Sequence, residues 1–266
     1  MTELTTLPGP ERRPMLMVRP EDHRQALALR QMAMAYADLP RYLLLPEVSA
    51  LLHYLPDWSQ HALVSTLWNT GGRINEVLAL KRRDFRLNGD YPHVVIRTAK
   101  QRRAGTGRPA KGKSANRVVP LSDPGFVDEL RRLFASTRER IETDAQTGER
   151  RPLPIWTATD RTVRNWLTRA VDDATRDGVT FSVPVTPHVF RHSYAMHHCY
   201  QHTPLKVLQA LLGHEKAEST EVYTRVFALD IAASQQITFS MPESQAVSLL
   251  KETHISGAFL MQKQHP

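Results

Sequence analysis

Punctuation constrains this chain more than any other feature: proline and glycine close off its apolar-periodic segments before any of them grows long. Pro46 stands in the first turn of PEVSALLHYL (46–55), whose apolar residues repeat at helical spacing. Asp57 is placed to cap DWSQHALVSTLWNTG (57–71), and Gly71 to stop it. RINEVLAL (73–80) starts a further helical turn, and the helix over 160–178 ends at Gly178. Thr186 with Pro187 opens a helix over 187–202, and Thr203, Pro204 and Gly213 frame another over 204–212. Helical patterns also cover 21–37, 126–141, 219–234 and 243–253. Only YPHVVIRT (91–98) and NRVVPL (116–121) are short and rich in β-branched residues, which predicts a hairpin with a long connection. Residues 143–154 read as a polar linker, and residues 1–20, with four prolines, as a loose arm. The expected fold is mainly α with a small antiparallel β-sheet.

The hairpin connection is chemically unusual. Residues 97–117 hold Arg97, Lys100, Arg102, Arg103, Arg108, Lys111, Lys113 and Arg117, and no acid. The formal net charge of the chain is +8, so these eight cations equal the whole excess. Such a stripe suits a polyanion, because each neutralised phosphate releases condensed counterions. A solvated basic loop is the other reading. Cys199 is the single cysteine, which excludes an intrachain disulfide. The N-terminal residues have no apolar signal core and no run is long enough to span a membrane, so a reducing cytoplasm is expected.

Several residues are suited to phosphate chemistry, each with a structural alternative. In TPHVFRHSYAMHH (186–198), His188 falls in the first helical turn, where free N–H groups favour an anion, and Arg191 shares its face. Both also serve as ordinary surface polar groups. In NTGGRINEVLAL (69–80), Arg73 follows two glycines, and Glu76 is spaced to hold its guanidinium or to make an unremarkable ion pair. Lys100 ends the first hairpin strand, with Lys111 and Lys113 competing for any role in the same cleft. In LLGHEKAESTEVYTRVF (211–227), His214 lies at a turn and Tyr223 nine residues on. Tyr223 is then either a core ring or a nucleophile.

Taken in order, Arg73, Lys100, His188-x-x-Arg191, His214 and Tyr223 resemble the catalytic set of the tyrosine recombinase (phage-integrase-like) family. TGGRINEVLAL, NRVVPL, LLGHE and VYTRV match its motifs, and YLLLPEVSALL (42–52) its catalytic-domain entry. The resemblance covers residues 42–230, and the whole chain is most similar to plasmid multimer resolvases of the F-plasmid type.

The resemblance implies the family's catalytic-domain fold and DNA strand exchange through a covalent 3′-phosphotyrosine. Tyr223 would be the nucleophile, Arg73 and Arg191 the phosphate clamp, and His188 the acceptor of the tyrosine proton. His214 would donate a hydrogen bond to phosphate, Lys100 would protonate the leaving 5′-oxygen, and Glu76 would orient Arg73. Neither metal nor ATP is required, so no cofactor is expected. The other cations of 97–117 would contact DNA. Three segments are expected: an arm and helix over 1–41, a catalytic domain over 42–235, and a C-terminal tail or helix over 236–266 donated to a neighbouring protomer. The partners implied are double-stranded DNA with a specific site and further copies of the chain, a dimer on one site and a tetramer in the synapse. The resemblance allows accessory DNA-binding proteins in that assembly and implies no membrane. DNA inversion or integration, a type IB topoisomerase and a non-catalytic DNA-binding regulator are the alternative functions.

Overall fold

A computed structural model describes residues 20–36, 40–97, 116–234 and 242–254. The chain divides into two compact units between Ala228 and Leu229, inside a helix that the sequence pattern reads as continuous. In the first unit, α1 (Pro20–Tyr36), α2 (Leu45–His53), α3 (Trp58–Thr70) and α4 (Ile74–Leu78) come first. A short 3₁₀ turn (Arg82–Asp84) leads to β1 (Phe85–Arg86), β2 (His93–Arg97) and β3 (Asn116–Pro120). Then follow α5 (Pro124–Ser136), β4 (Ile141–Thr143), β5 (Arg150–Pro152), α6 (Asp160–Arg176), α7 (Pro187–Tyr200) and α8 (Leu205–Leu212). α9 (Glu218–Ser234) carries the division, and α10 (Glu243–His254) lies in the second unit. Among the described residues no helix is long and apolar enough to cross a membrane.

The expected hairpin forms, and it gains a strand. β1, β2 and β3 make one antiparallel sheet in that order, with Val94 opposite Val119 and Ile96 opposite Arg117. The period of two turns Val94, Ile96, Arg117 and Val119 to the inner face. β1 is only two residues long, too short for its alternation to show in the sequence. The polar linker is also ordered differently from the expectation: β4 and β5 form a second hairpin around 144–148. Asp144 Oδ1 accepts from the backbone N–H of Gln146 and Thr147, which closes that turn. α5 stops at Ser136, short of the expected 141, because Thr137 is extended and its hydroxyl bonds Leu133 O at 2.6 Å.

Helix α3 is the centre of the first unit. Ala62, Leu63, Val64, Ser65, Thr66, Leu67 and Thr70 are all buried, so the helix is covered nearly all round. Its two inward hydroxyls are satisfied locally: Thr66 and Thr70 donate to the carbonyls of Ala62 and Thr66, each at 2.6 Å. One apolar cluster joins α2, α3, the sheet, α5 and α6 with Val189 and Phe190 of α7. A second joins Ala26, Tyr42 and Leu44 to Tyr194, Ala195, Met196, Cys199 and Tyr200 of α7, to Leu208 and Leu212 of α8, and to Tyr223 of α9. Helix α7 is thus the wall shared by both clusters. α1 is held to the same unit by fully buried Arg30, which donates to Tyr42 O, to both carboxylate oxygens of Glu47 and to Ser182 Oγ.

The stop after α3 is closely packed. Asp57 caps the helix by accepting from Gln60 N–H, and Gly71 ends it at φ 58°, as the sequence predicts. A Cβ on Gly71 would lie 2.5 Å from Tyr194 Cδ1, so the corner requires glycine on both conformational and steric grounds. Gly71→Ala is expected to destabilise the protein by about 2–4 kcal/mol, the sum of a left-handed backbone penalty and overpacking. A lower urea midpoint with an unchanged m-value is the check; a midpoint equal to wild type would mean the corner relaxes freely.

Candidate active site

The corner after α3 also begins the site. Arg73 is the N-cap residue of α4, and its backbone N–H donates to Glu76 Oε2 at 3.0 Å while its Nη1 donates to Oε1 at 3.0 Å. The spacing of three residues foretold that pair. It did not foretell the third partner: Arg117 of β3 donates through Nη2 to Glu76 Oε2 at 2.6 Å. Glu76 is 5% exposed and Arg117 6% exposed. Burial alone would push the Glu76 carboxyl up, but the hydrogen bonds and charges of Arg117 and Arg73 bring it below its usual value.

Arg117 therefore corrects an expectation. The sequence grouped it with the phosphate-contacting cations of the basic stretch, yet strand alternation turns it inward, onto a carboxylate. Arg97, one register position away opposite Asn116, faces out with its side chain 63% exposed, and approaches Asp84 at 3.9 Å. Lys100, Arg102, Arg103, Arg108, Lys111 and Lys113 lie outside the described residues.

Arg191 of α7 is 2% exposed. Its Nη1 donates to Gly71 O and its Nη2 to Leu212 O, both at 2.7 Å. Those carbonyls belong to the C-terminal ends of α3 and α8, where helix dipoles concentrate negative charge. Burial, with the charges of Arg73 and Arg117, lowers its pKa to about 10, so it remains a cation at neutral pH.

Three histidines border these guanidinium groups. His188, in the first turn of α7, has its pKa lowered by burial and by Arg191, Arg73 and Arg164. His214 follows the left-handed Gly213, and its Nδ1 lies 2.8 Å from the hydroxyl of Thr220. Its pKa falls to about 4 through burial and the charges of Arg191, Arg73 and Arg117. His192, absent from the sequence-derived set, packs edge-on against His188 with ring centroids 4.4 Å apart. Its spacing of four from His188 on α7 was the available signal, masked by its place beside Arg191.

Tyr223 meets the first of its two readings. The ring is 2% exposed within the second apolar cluster, as a core tyrosine would be. Its hydroxyl lies 2.9 Å from His192 Nδ1, not on His188. Burial raises its pKa to about 12, a shift that the charge of Arg191 only partly offsets. Two helix starts differ from expectation. Thr186 makes no capping hydrogen bond at α7, and the Thr203 hydroxyl pairs with His198 Nδ1 at 3.0 Å instead of capping α8.

Arg73, Arg117 and Arg191 outweigh Glu76 by three charges to one, an arrangement suited to an anion. Glu76 holds two of the three in place. Glu76→Gln is expected to cost about 3–5 kcal/mol at neutral pH, since it removes the carboxylate charge that pairs with buried Arg117. Because the folded carboxyl titrates below its usual value, its stabilisation is full above about 4.5 and disappears as pH falls through the lower folded value. Acid titration of stability should thus be shallower in Glu76→Gln; an equal slope would assign the acid loss to other carboxylates.

Comparison with known proteins identifies the family of the chain. The model of the phage integrase family matches residues 41–229. A resolvase of Escherichia coli is 55% identical over 238 residues, which covers 88% of this chain and 92% of that protein. A second resolvase, from Escherichia coli strain K12, is 55% identical over 236 residues, covering 87% and 88%. Among solved structures, a XerA recombinase shares the fold with a TM-score of 0.54 at 20% identity, over 82% of this chain and 77% of that one. The Tn1549 transposon integrase in complex with a circular intermediate DNA shares it with a TM-score of 0.55 at 18% identity, over 71% and 62%. With the family pattern spanning most of its length and relatives identical at more than half of the aligned positions, the chain belongs to the phage integrase family, the tyrosine recombinases that cut and rejoin DNA.

Proposed function

We propose that this recombinase acts on double-stranded DNA at a specific site and resolves plasmid multimers, with Tyr223 as its nucleophile. The observation that carries the reading is the position of the Tyr223 hydroxyl: on an α7 histidine, in a helix that also supplies Arg191 and His188. The name resolvase carried by two relatives of similar length supports the biological assignment.

In this reading Tyr223 Oη attacks a backbone phosphorus and the 5′-oxygen leaves, which gives a 3′-phosphotyrosine. Arg73 and Arg191 hold the non-bridging oxygens, where negative charge collects in the transition state. Arg191 spends two of its five N–H donors on Gly71 and Leu212, so three remain for phosphate. His214, fixed through Nδ1 by Thr220, donates to phosphate from its other nitrogen. An α7 histidine takes the tyrosine proton, with His188 the residue expected from the sequence. Lys100 protonates the 5′-oxygen, and rejoining runs these steps in reverse. Arg97, Arg102, Arg103, Arg108, Lys111 and Lys113 follow the DNA backbone, while Glu76 and Arg117 form the support beneath Arg73. Dimers occupy single sites and pair into tetramers. The C-terminal segment docks on a neighbouring protomer, and half-exposed Val247 and Leu249 of α10 provide apolar surface for it.

The test is covalent trapping on nicked suicide DNA from a candidate site on the encoding replicon. Wild type is expected to give a denaturation-resistant adduct. Tyr223→Phe should bind the DNA and give none; an adduct would move the nucleophile elsewhere. Arg191→Lys should lose at least 100-fold in cleavage, because a point charge cannot reach two carbonyls and a phosphate together. Near-normal cleavage would remove the clamp. Lys100→Ala should recover on DNA with a better 5′ leaving group; recovery of Lys113→Ala instead would transfer the general-acid role to Lys113.

A further inference from the structure

We infer that Thr220 is a positioning residue: its hydroxyl ties the ring of His214 to the helix that presents Tyr223, so that one docked helix seats both groups. This rests on the roles proposed above for Tyr223 and His214.

A helical threonine ordinarily spends its hydroxyl inside its own helix. Thr66, Thr70, Thr168 and Thr175 each donate to the carbonyl four residues earlier. Thr220, in the first turn of α9, is fully buried between exposed Ser219 and Glu221. Its hydroxyl pairs instead with a side chain outside the helix, His214 Nδ1, at 2.8 Å. Packing alone would be met by a valine, which has the same branched shape without the oxygen.

His214 is held from two sides. Its backbone belongs to α8: its N–H donates to Gln209 O at 3.1 Å, and the Gln209 amide donates to His214 O at 3.3 Å. Its ring belongs to α9, through Thr220. That bond closes a circuit of three helices. Arg191 of α7 donates to Leu212 O at the end of α8, and His214, just past that end, meets Thr220 of α9. Tyr223, three residues on and on the same helix face, meets His192 of α7. Removing the Thr220 hydroxyl opens the circuit between α8 and α9 and leaves the other two links intact.

The bond also decides which nitrogen carries the proton. Burial and the charges of Arg191, Arg73 and Arg117 lower the His214 pKa to about 4, so at neutral pH the ring holds a single N–H. With Thr220 donating to Nδ1, that N–H is on Nε2, the nitrogen left for phosphate. The opposite tautomer would turn a lone pair toward an anion. Without the hydroxyl, Nδ1 loses its donor, and the ring gains the wrong tautomer and the freedom to turn. Linkage makes the tie reciprocal: phosphate held by His214 strengthens the docking of α9, and docked α9 strengthens the hold on phosphate.

Three measurements test this: single-turnover cleavage of nicked DNA, nitrogen NMR signals of the His214 ring, and hydrogen exchange of α9 with and without DNA that carries a non-cleavable scissile linkage. Thr220→Val is expected to cleave at least about 10-fold more slowly, and Thr220→Ser to stay within about threefold of wild type. Wild type and Thr220→Ser should hold one tautomer, protonated at Nε2, while Thr220→Val shows exchange between two. On a His214→Ala background Thr220→Val should cost nothing further, because it acts through the ring. DNA should raise the exchange protection of α9 in wild type and Thr220→Ser, and less so in Thr220→Val. Thr220→Ala repeats each measurement if valine disturbs the helix. A wild-type rate with a single Nε2 tautomer in Thr220→Val would overturn the inference. So would a loss repeated in full on top of His214→Ala, which would make Thr220 a packing residue. An undiminished gain of protection in Thr220→Val would overturn the tie to α9. Wild-type cleavage by His214→Ala would overturn the reading of His214 and this inference together, and an adduct with Tyr223→Phe would do the same for Tyr223. Slow His214→Ala, silent Tyr223→Phe and unaffected Thr220 variants would overturn this inference alone.

Discussion

One buried cation organises the first unit of this protein. Arg191 donates to main-chain oxygens, the carbonyls of Gly71 and Leu212. Each closes a helix, and a helix C-terminus carries roughly half a negative charge. Two such ends together approach the charge of one guanidinium, which is how a side chain 2% exposed stays protonated. The bonds also fix geometry, since they draw α3 and α8 to opposite edges of one guanidinium on α7. The α3 end brings Arg73 two residues later, and the α8 end brings His214 two residues later. Much of the candidate site is therefore set by where those two helices stop.

That arrangement has an electrostatic cost that an anion relieves. A carboxylate partner for Arg191 would hold it as well, but would occupy the donors and repel phosphate. Carbonyl ends supply partial charge without closing the site. The uncompensated remainder falls on the histidines, and both His192 and His214 are pushed down to about 4. They are neutral at physiological pH, when a neutral imidazole can accept one proton and donate another. Glu76 tempers the field from one side only, beneath Arg73 and Arg117. Chemistry that develops negative charge on a phosphate would then gain most in the transition state, where that charge is largest.

The helices were legible because their ends are written in residues with strong local rules. Asp57, Gly71, Pro46, Pro187 and Gly213 each act through their own backbone or a partner within a few residues, and most boundaries followed. What depended on distant partners was not. Thr186 and Thr203 have the right chemistry for caps, but Thr203 found His198 across the bend. Arg138, Glu139 and Arg140 favour a helix, yet α5 ends before them, where Arg82 takes the Phe134 and Thr137 carbonyls. The β4–β5 hairpin is exposed along nearly its whole length, so it leaves no apolar alternation to read. At the site, Arg73 with Glu76 was visible from a spacing of three. Arg117 was hidden by its basic neighbours, and only the register that sets it opposite Ile96 reveals that it points inward.

The sequence posed Tyr223 as either core ring or nucleophile, and the burial that meets the first reading is compatible with the second as proposed above. A nucleophile that sits exposed and half-ionised would attack any phosphate that passed. With its pKa at about 12, only about one Tyr223 in 10⁵ is ionised at neutral pH. The hydroxyl is instead kept protonated, dry and directed at an imidazole. For the nucleophile proposed above, burial that looks purely structural would suppress the unprompted reaction, while the hydrogen bond would keep a route open for the prompted one. The same reasoning accounts for a tyrosine in place of a serine or a cysteine. Its aromatic body belongs to an apolar cluster with Tyr194, Met196 and Leu212, and only the terminal oxygen reaches the charged side. The rigid ring carries an oxygen from one environment to the border of the other, so in the proposed mechanism core packing itself would aim the attacking group.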